Sequence, residues 1–298
     1  MTVFRRETLL DIVRWLEHAP ELRFEVLDPD LGRGRYAGEL VEHAGETYAH
    51  RPLRVWVDLA ERLGLRLLVP RATTPPLVEL RFERLDRDAR WAPPADVDAT
   101  ERYGAGSGFE RLSKLEDPGF VIDLREALAR VAPAPGARVL DLGCNTGDVL
   151  ALVDALAPGM QLAGVDHSAS ALAVAARRFP RAQLVLADLA RLPAELGRFD
   201  LVVCVGTLQS GALDDRNLVR RVVQDHLAPD GAVIFGWPNC RYVDGEVEYG
   251  ARVKNLREPE LGLVVKDLAF YRKYLQQHRR HVYVTGKHYL LVTGVVRA

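Results

Sequence analysis

The segment VLDLGCNTGDVL, residues 139–150, constrains the fold of this chain more than any other stretch. It opens as an apolar run typical of buried parallel strands and then breaks at Gly143 and Gly147, just after the acid Asp141. A strand that ends in glycines before a helix lets the backbone approach a ligand, and the helix offers free N–H groups in its first turn. The segment therefore predicts a nucleotide-type site at the carboxyl end of a strand.

The chain beyond residue 136 alternates between apolar strands and helices. Five apolar runs are followed by two strands around a tight connection: ARVLDLG, QLAGVD, AQLVLAD, FDLVVCVG, GAVIFGW, RHVYVTG and KHYLLVTGVV. The intervening patterns predict helices over residues 148–156, 168–178, 215–227 and 259–278. Repeated strand–helix units of this kind predict an α/β fold, a doubly wound and mostly parallel seven-stranded sheet that ends in an antiparallel hairpin.

The first part of the chain has a different pattern. Residues 1–90 read as a helix over 5–18, a strand, a second helix that ends at Gly64, and two more strands, which predicts a small α+β accessory or substrate domain. Residues 91–135 begin with prolines, charges and small residues, and a helix follows over 120–131. We expect this stretch to be a linker and lid-like helical segment, and residues 136–298 to form the ligand-binding domain.

Composition excludes several classes of protein. The net charge of −1 gives no overall attraction to nucleic acid or to a membrane surface. The cysteines Cys144, Cys204 and Cys240 are few and widely spaced, which argues against a disulfide framework and a zinc site. The N-terminus carries acids, and no run of 18 apolar residues occurs, so neither a signal peptide nor a membrane span is predicted. We expect a cytoplasmic protein without a bound metal.

The spacing of the glycines bears on the ligand. A dinucleotide site would show GxGxxG, whereas the glycines here are spaced GxxxG with Asn145 between them. The carboxylate of Asp141 would repel a pyrophosphate but attract a cation. S-adenosylmethionine carries an ammonium and a sulfonium and no phosphate, so its charges suit this loop.

On these residues the chain resembles the class I S-adenosylmethionine-dependent methyltransferases. DLGCNTG matches the acid-and-glycine first motif of that family, with Asn145 in place of the middle glycine, and an asparagine tolerates a positive φ. The resemblance covers residues 102–298 and implies a bacterial enzyme that uses S-adenosylmethionine. It further implies that Asp141, Gly143, Asn145 and Gly147 shape the methionine end of the cofactor site.

The following strand ends supply the other cofactor residues that the resemblance implies. Asp166, in GVDHS, would accept two hydrogen bonds from the ribose hydroxyls. Asp188, in LVLADL, would lie near the adenine amino group. The remaining residues assigned to the cofactor are His167, Leu189 and Gly206.

Acceptor residues are expected in two further segments. RYGAGSGFERLSKLE, residues 102–116, combines aromatic residues with hinge-forming glycines and predicts a lid, with a linker as the alternative. PNCRYVDGEVEYGARVKNLRE follows the fifth strand and reads as a long polar loop, with a solvated flap as the alternative. The candidates for contact with the acceptor are Tyr103, Asn239, Tyr242, Tyr249 and Arg252. No histidine is assigned as a general base.

A small molecule is the favoured acceptor, because the chain lacks both a strong basic field and the NPPY or DPPY motif of enzymes that methylate base amino groups. An RNA methyltransferase, with the N-terminal domain docking the RNA, stays open. From Gly231 onward the chain has eleven Lys and Arg against six acids, which suits an anionic acceptor such as RNA or a carboxylate metabolite; a helix face that keeps the protein soluble explains the excess equally well. A non-catalytic protein that binds S-adenosylmethionine is also open. An NAD-dependent oxidoreductase would need GxGxxG, which is missing.

Overall fold

The computed structural model describes residues 1–86, 88, 98–211, 213–250 and 261–296. The chain divides into two compact units. The first consists of Met1–Arg90 together with Tyr242–Glu248, and the second of Trp91–Arg241 together with Tyr249–Ala298. The accessory role predicted for the N-terminal part remains a prediction.

The first unit combines two helices with short antiparallel strands. Its elements are α1 (Leu9–His18), β1 (Arg23–Leu27), β2 (Leu40–His43), β3 (Glu46–Ala49), α2 (Leu53–Leu63), β4 (Leu65–Leu67), β5 (Arg71–Ala72) and β6 (Leu77–Arg84). β6 pairs antiparallel with β1, β4 and β5, while β2 and β3 form a separate hairpin.

The core of the first unit is aromatic. The alternation in LRFEVLD buries Phe24 and Val26 on one face of β1. The ring of Phe24 lies 5.7 Å from those of Trp56 and Phe82 and 5.0 Å from that of Phe4. These contacts join α2 to the sheet and give the unit a core of its own.

The second unit contains a seven-stranded sheet. Its elements are α3 (Pro118–Val131), β7 (Arg138–Leu142), α4 (Asp148–Leu156), β8 (Gln161–Asp166), α5 (Ala169–Arg178), β9 (Gln183–Leu186), β10 (Phe199–Val205), α6 (Asp215–Arg221), β11 (Leu227–Pro238), α7 (Leu261–Gln277), β14 (Arg280–Thr285) and β15 (Tyr289–Val296). Between β11 and α7 the chain forms β12 (Cys240–Val243) and β13 (Glu246–Tyr249), most of whose residues belong to the first unit. The strand order is β14-β15-β11-β10-β7-β8-β9. β9, β8, β7, β10 and β11 run parallel, and β15 pairs antiparallel with both β11 and β14.

This topology confirms the predicted fold class and positions the ligand site. The chain builds the sheet outward from β7 in one direction through β8 and β9, and then in the other direction through β10 and β11. The order therefore reverses between β7 and β10. In doubly wound sheets, ligands bind outside the carboxyl ends of the strands at such a switch point.

Two predicted elements differ from the structure. The helix predicted over 215–227 ends at Arg221, one π turn covers Val222–His226, and β11 already begins at Leu227. The polar loop predicted after the fifth strand is wrong over residues 240–249, because β12 and β13 form a hairpin there. Asp244 and Gly245, at φ 49° and 79°, supply its turn, and an Asp-Gly pair is a strong local signal for such a hairpin.

The tip of this hairpin makes ion pairs within the first unit. Arg66 on β4 lies 2.9 Å from a carboxylate oxygen of Glu246 and 3.3 Å from one of Asp244. All three side chains are partly exposed, so these pairs contribute little to the stability of the unit.

Candidate functional site

The loop between β7 and α4 is built from backbone conformations that most residues avoid. Gly143, Asn145 and Gly147 have φ values of 75°, 48° and 92°. A Cβ on Gly143 would lie 2.2 Å from Oγ1 of Thr207, and one on Gly147 would lie 2.7 Å from the ring of Phe179. Both glycines are therefore required by conformation and by space.

Asp141 lies beneath this loop, near the end of β7. Its side chain is only 2% exposed, and its Oδ2 has no hydrogen-bond partner among the residues that the structure describes. Burial raises the pKa of Asp141 to about 7; the neighbouring Lys114 opposes this shift, and Asp166 and Asp148 reinforce it. A buried carboxylate with an unused oxygen is an electrostatic receptor for a cation.

Asp166 ends the adjacent strand β8 and is 8% exposed. One of its oxygens accepts the N–H of Asn145 at 2.8 Å, and the other accepts the N–H of Ser168 at 2.9 Å. Each carboxylate oxygen can accept a second hydrogen bond, so the side chain is oriented by the protein and still has acceptor capacity. His167, the next residue, is exposed.

The remaining cofactor candidates follow the neighbouring strands. Asp188 lies two residues beyond β9, is exposed, and accepts the N–H of Ala190 at 2.9 Å, while Leu189 is buried. Gly206 follows β10 with φ 77°, and its N–H donates to the carbonyl of Gly236 at 2.9 Å. All the predicted cofactor residues thus lie at the carboxyl ends of β7, β8, β9 and β10. Their roles remain predictions.

The acceptor candidates are more dispersed. The carbonyl of Tyr103 accepts a hydrogen bond from the amide of Asn145 at 2.5 Å, which brings the predicted lid segment to the glycine loop. Asn239 is buried, and its amide donates to the carbonyl of Lys287 at 3.1 Å. Tyr242 lies on β12; Tyr249 lies on β13 with the ammonium of Lys287 5.8 Å from its ring centre. Arg252 lies outside the described residues. Contact with an acceptor remains a prediction for all five.

Glu101 is a site residue that sequence reasoning missed. Its carboxylate accepts hydrogen bonds from the hydroxyls of Ser168 and Ser170 and, at 2.9 Å, from the N–H of Ala169. The hydrogen bonds with the two serines lower the pKa of Glu101. The carboxylate therefore anchors the segment before α3 to the first turn of α5, next to Asp166. No local pattern signals a contact that spans 67 residues.

Lys114 is the second residue that the sequence did not single out. It lies in the short 3₁₀ turn Lys114–Glu116, and its ammonium donates a hydrogen bond to the carbonyl of Val205 at 3.2 Å. Lys114 thus belongs to the predicted lid segment and reaches the end of β10. The structure brings two parts of that segment to the site, and its movement as a lid stays a prediction.

The part of the chain that the structure describes also bears on a metal site, a cysteine nucleophile and a membrane span. No group of three or more His, Cys, Asp or Glu side chains there could hold a metal ion. Burial raises the pKa of the Cys144 thiol well above its usual value, which makes this loop cysteine a poor nucleophile. The helices within the described ranges include none that is long and apolar enough to span a membrane.

These features fit a ligand that is positively charged at one end and carries a diol. The unused oxygen of Asp141 would face the positive end, and Asp166 would accept hydrogen bonds from the diol. S-adenosylmethionine has both groups.

Comparison with known proteins agrees with this fit. Residues 139–231 match a family model described as a methyltransferase domain. Two similar curated proteins are the trans-aconitate 2-methyltransferases of Variovorax paradoxus and Methylobacterium nodulans. Each is 34% identical, over 117 and 137 residues, which is 39% and 43% of this chain and 44% and 52% of the relative. The chain thus spans about half the length of the curated relatives it matches.

A solved structure to which this chain is similar is the magnesium protoporphyrin IX methyltransferase of Synechocystis PCC 6803 with bound S-adenosylmethionine. It has a TM-score of 0.43 and 17% sequence identity, and the match covers 67% of this chain and 99% of that one.

Proposed function

Since its larger unit belongs to the class I S-adenosylmethionine-dependent methyltransferases, we propose that this chain is an enzyme that transfers a methyl group from S-adenosylmethionine to a small-molecule acceptor. The observation that carries the proposal is the buried Asp141 with its unused Oδ2 beside the glycine loop. An unpaired carboxylate in such a place is costly unless a ligand completes it. A cation is the ligand that would do so.

The cofactor-binding residues of the proposal divide by the part of the cofactor that they hold. Asp141, Gly143, Asn145 and Gly147 would hold the methionine end, Asp166 the ribose and Asp188 the adenine amino group, with His167, Leu189 and Gly206 completing the pocket. When bound, S-adenosylmethionine supplies a methyl group on a positively charged sulfur, which retains the electron pair of the broken S–C bond. Much of the catalysis by this chain would then consist of holding the acceptor in line with that methyl group.

The choice of a small molecule rests on the relatives and on charge. The curated relatives are named for a small tricarboxylate, trans-aconitate, and the net charge of −1 gives this chain no general affinity for RNA. trans-Aconitate is accordingly the first acceptor to test. We assign the N-terminal unit an accessory role in selecting the acceptor.

Removing the Asp166 carboxylate should weaken cofactor binding. Asp166→Ala deletes the acceptor proposed for the ribose hydroxyls and should raise the Kd for S-adenosylmethionine about 30-fold or more, equivalent to roughly 2 kcal/mol. Titration calorimetry measures this directly. Asp200→Ala is the matched control: the Asp200 carboxylate accepts the N–H of Arg138 within the sheet, so this variant removes a carboxylate–backbone contact away from the ligand site. An unchanged Kd for Asp166→Ala would show that Asp166 does not bind the cofactor.

The proposed activity is tested with labelled methyl groups. The chain is incubated with methyl-labelled S-adenosylmethionine and, in parallel, with trans-aconitate and with small-molecule, RNA and protein fractions of a cell extract. Label in trans-aconitate or in the small-molecule fraction is the expected result. RNase-sensitive label would replace the proposal with an RNA methyltransferase. Binding of the cofactor with no label in any fraction would replace it with a non-catalytic binding protein.

A further inference from the structure

Lys114 projects an ammonium group to the edge of the sheet where the ligand site lies. Its Nζ donates to the carbonyl of Val205, the last residue of β10, at 3.2 Å. A Cβ on the next residue, Gly206, would lie 3.3 Å from the same nitrogen. The glycine thus leaves room for the ammonium directly above the strand end. The same edge of the sheet carries Asp141 and Asp166, the acids that we assign to the cofactor.

The ammonium of Lys114 uses only part of its hydrogen-bonding capacity at this position. The ammonium has three N–H donors. Within the described residues it makes one hydrogen bond, to the carbonyl of Val205. Burial lowers the pKa of Lys114, and the charges of Asp141, Asp148 and Asp166 oppose that shift. Among the described residues none of these carboxylates comes within the 4 Å of an ion pair with Lys114. Unused donors therefore remain available to a ligand.

The charges at this edge change when a cationic ligand enters. Asp141 and Asp166 are the acids that we assign to the cofactor, and they are also the acids that balance Lys114. S-adenosylmethionine carries an ammonium, a sulfonium and one carboxylate, so it adds a net positive charge beside Asp141 and leaves the positive charge of Lys114 less compensated. An anionic group next to Lys114 would restore the balance, whereas a cationic group would be repelled.

We propose that Lys114 is the specificity-determining residue that binds a carboxylate group of the acceptor and excludes cationic acceptors. The proposal rests on the methyltransferase function proposed above and names the substrate class of the same site: small di- or tricarboxylates. A carboxylate has no proton to lose when it becomes an ester, so such an acceptor needs no general base. The ammonium of Lys114 would hold a second carboxylate of the acceptor and orient the reacting one.

The test compares binding and transfer in matched variants. Lys114→Met keeps most of the length of the side chain and removes its charge, Lys114→Arg keeps the charge, and Lys273→Met removes an exposed lysine on α7. The probes are trans-aconitate and its uncharged trimethyl ester. Binding is followed by thermal shift and calorimetry on the complex with S-adenosylhomocysteine and on the free protein, and transfer is followed with labelled cofactor.

We expect wild type and Lys273→Met to bind trans-aconitate and not the trimethyl ester. Lys114→Met should weaken binding of trans-aconitate, and raise its KM, by about tenfold or more, with partial recovery in Lys114→Arg. The Kd for S-adenosylhomocysteine should change by less than about threefold, because Lys114 is assigned to the acceptor.

Equal trans-aconitate binding by wild type and Lys114→Met would overturn the proposal, as would failure of wild type to bind trans-aconitate at all. A loss of S-adenosylhomocysteine binding as large as the loss of trans-aconitate binding would also overturn it, by placing Lys114 in the cofactor site. Failure of the proposed function gives a different result. In that case S-adenosylmethionine does not bind wild type, irrespective of the effect of Lys114→Met on trans-aconitate binding.

Discussion

Asp141→Asn should stabilise the ligand-free protein at neutral and alkaline pH while weakening its binding of S-adenosylmethionine. Burial raises the pKa of Asp141 from 3.8 to about 7, so the folded state holds this proton to a higher pH than the unfolded state does. The stability that the protonated group contributes is complete below about pH 4 and is lost as the pH rises through about 7. Asparagine never ionises, so the variant avoids this loss.

The expected size of the effect follows from the shift. Three pKa units correspond to about 4 kcal/mol, and relaxation of the site reduces this, so we expect a gain on the order of 2–3 kcal/mol at about pH 8 and almost none near pH 4. Urea unfolding at both pH values measures it. Asp154→Asn, at an exposed position on α4, should give no pH-dependent gain. A variant that is less stable than wild type at pH 8 would contradict the description of Asp141.

The same carboxylate should make cofactor binding depend on pH. Asp141 must lose its proton to pair with the ligand cation, so the Kd for S-adenosylmethionine should fall about tenfold per pH unit between roughly pH 5.5 and 6.5 and level off above 7. Above about pH 8 the amino group of the ligand itself begins to lose its proton. In Asp141→Asn the Kd should be at least about tenfold higher at pH 7.5 and should not follow this slope. If Asp141→Asn showed the same pH profile as wild type, Asp141 would not contact the ligand.

Gly143→Ala should have the second large effect, because it combines an unfavourable backbone conformation with a collision. The φ of 75° costs an alanine about 1–2 kcal/mol, and its Cβ would lie 2.2 Å from Oγ1 of Thr207. Thr207 is short and β-branched, so it cannot move aside without displacing the backbone at the end of β10. We expect a loss of about 3 kcal/mol or more in unfolding free energy, together with a loss of cofactor binding.

Gly159→Ala is the matched control. Gly159 has a similar φ of 86°, but a Cβ there would have nothing within 4 Å. It should show the backbone cost alone, about 1–2 kcal/mol, and leave cofactor binding intact. Thr207→Ala should partly rescue Gly143→Ala, because it removes the two nearest atoms. Equal losses in the two glycine variants would show that the collision with Thr207 is relieved at little cost.

The sheet and the positions of the cofactor candidates follow from local patterns. Continuous apolar runs predicted the parallel strands, and the acids Asp141, Asp166 and Asp188 stand at or just beyond strand ends, where chain order alone places them at one edge. Ser168 was predicted to start a helix, and its hydroxyl accepts the N–H of Ala171 at 3.1 Å. Apolar runs, strand-end acids and helix caps depend on residues close together in the chain, so they can be predicted from the sequence.

The remainder depends on contacts between distant residues. Lys114 reaches Val205 across 91 residues and Glu101 reaches Ser168 across 67, and neither contact leaves a periodicity or a motif. The hairpin at Asp244 had a usable turn signal, but its strands are only four residues long, too short to show a clear periodicity. β15, inserted between β11 and β14, is largely buried and β14 is not, so hydropathy distinguishes the interior strand from the edge strand once both are known to pair.

The most direct test of the central claim is a calorimetric titration of wild type with S-adenosylmethionine and, separately, with NAD at about pH 7.5. The claim is that Asp141, Asp166 and the loop between β7 and α4 bind a cationic nucleoside rather than a pyrophosphate. It predicts saturable binding of S-adenosylmethionine at one site per chain, competition by S-adenosylhomocysteine, and no binding of NAD. Binding of NAD with no binding of S-adenosylmethionine would contradict it.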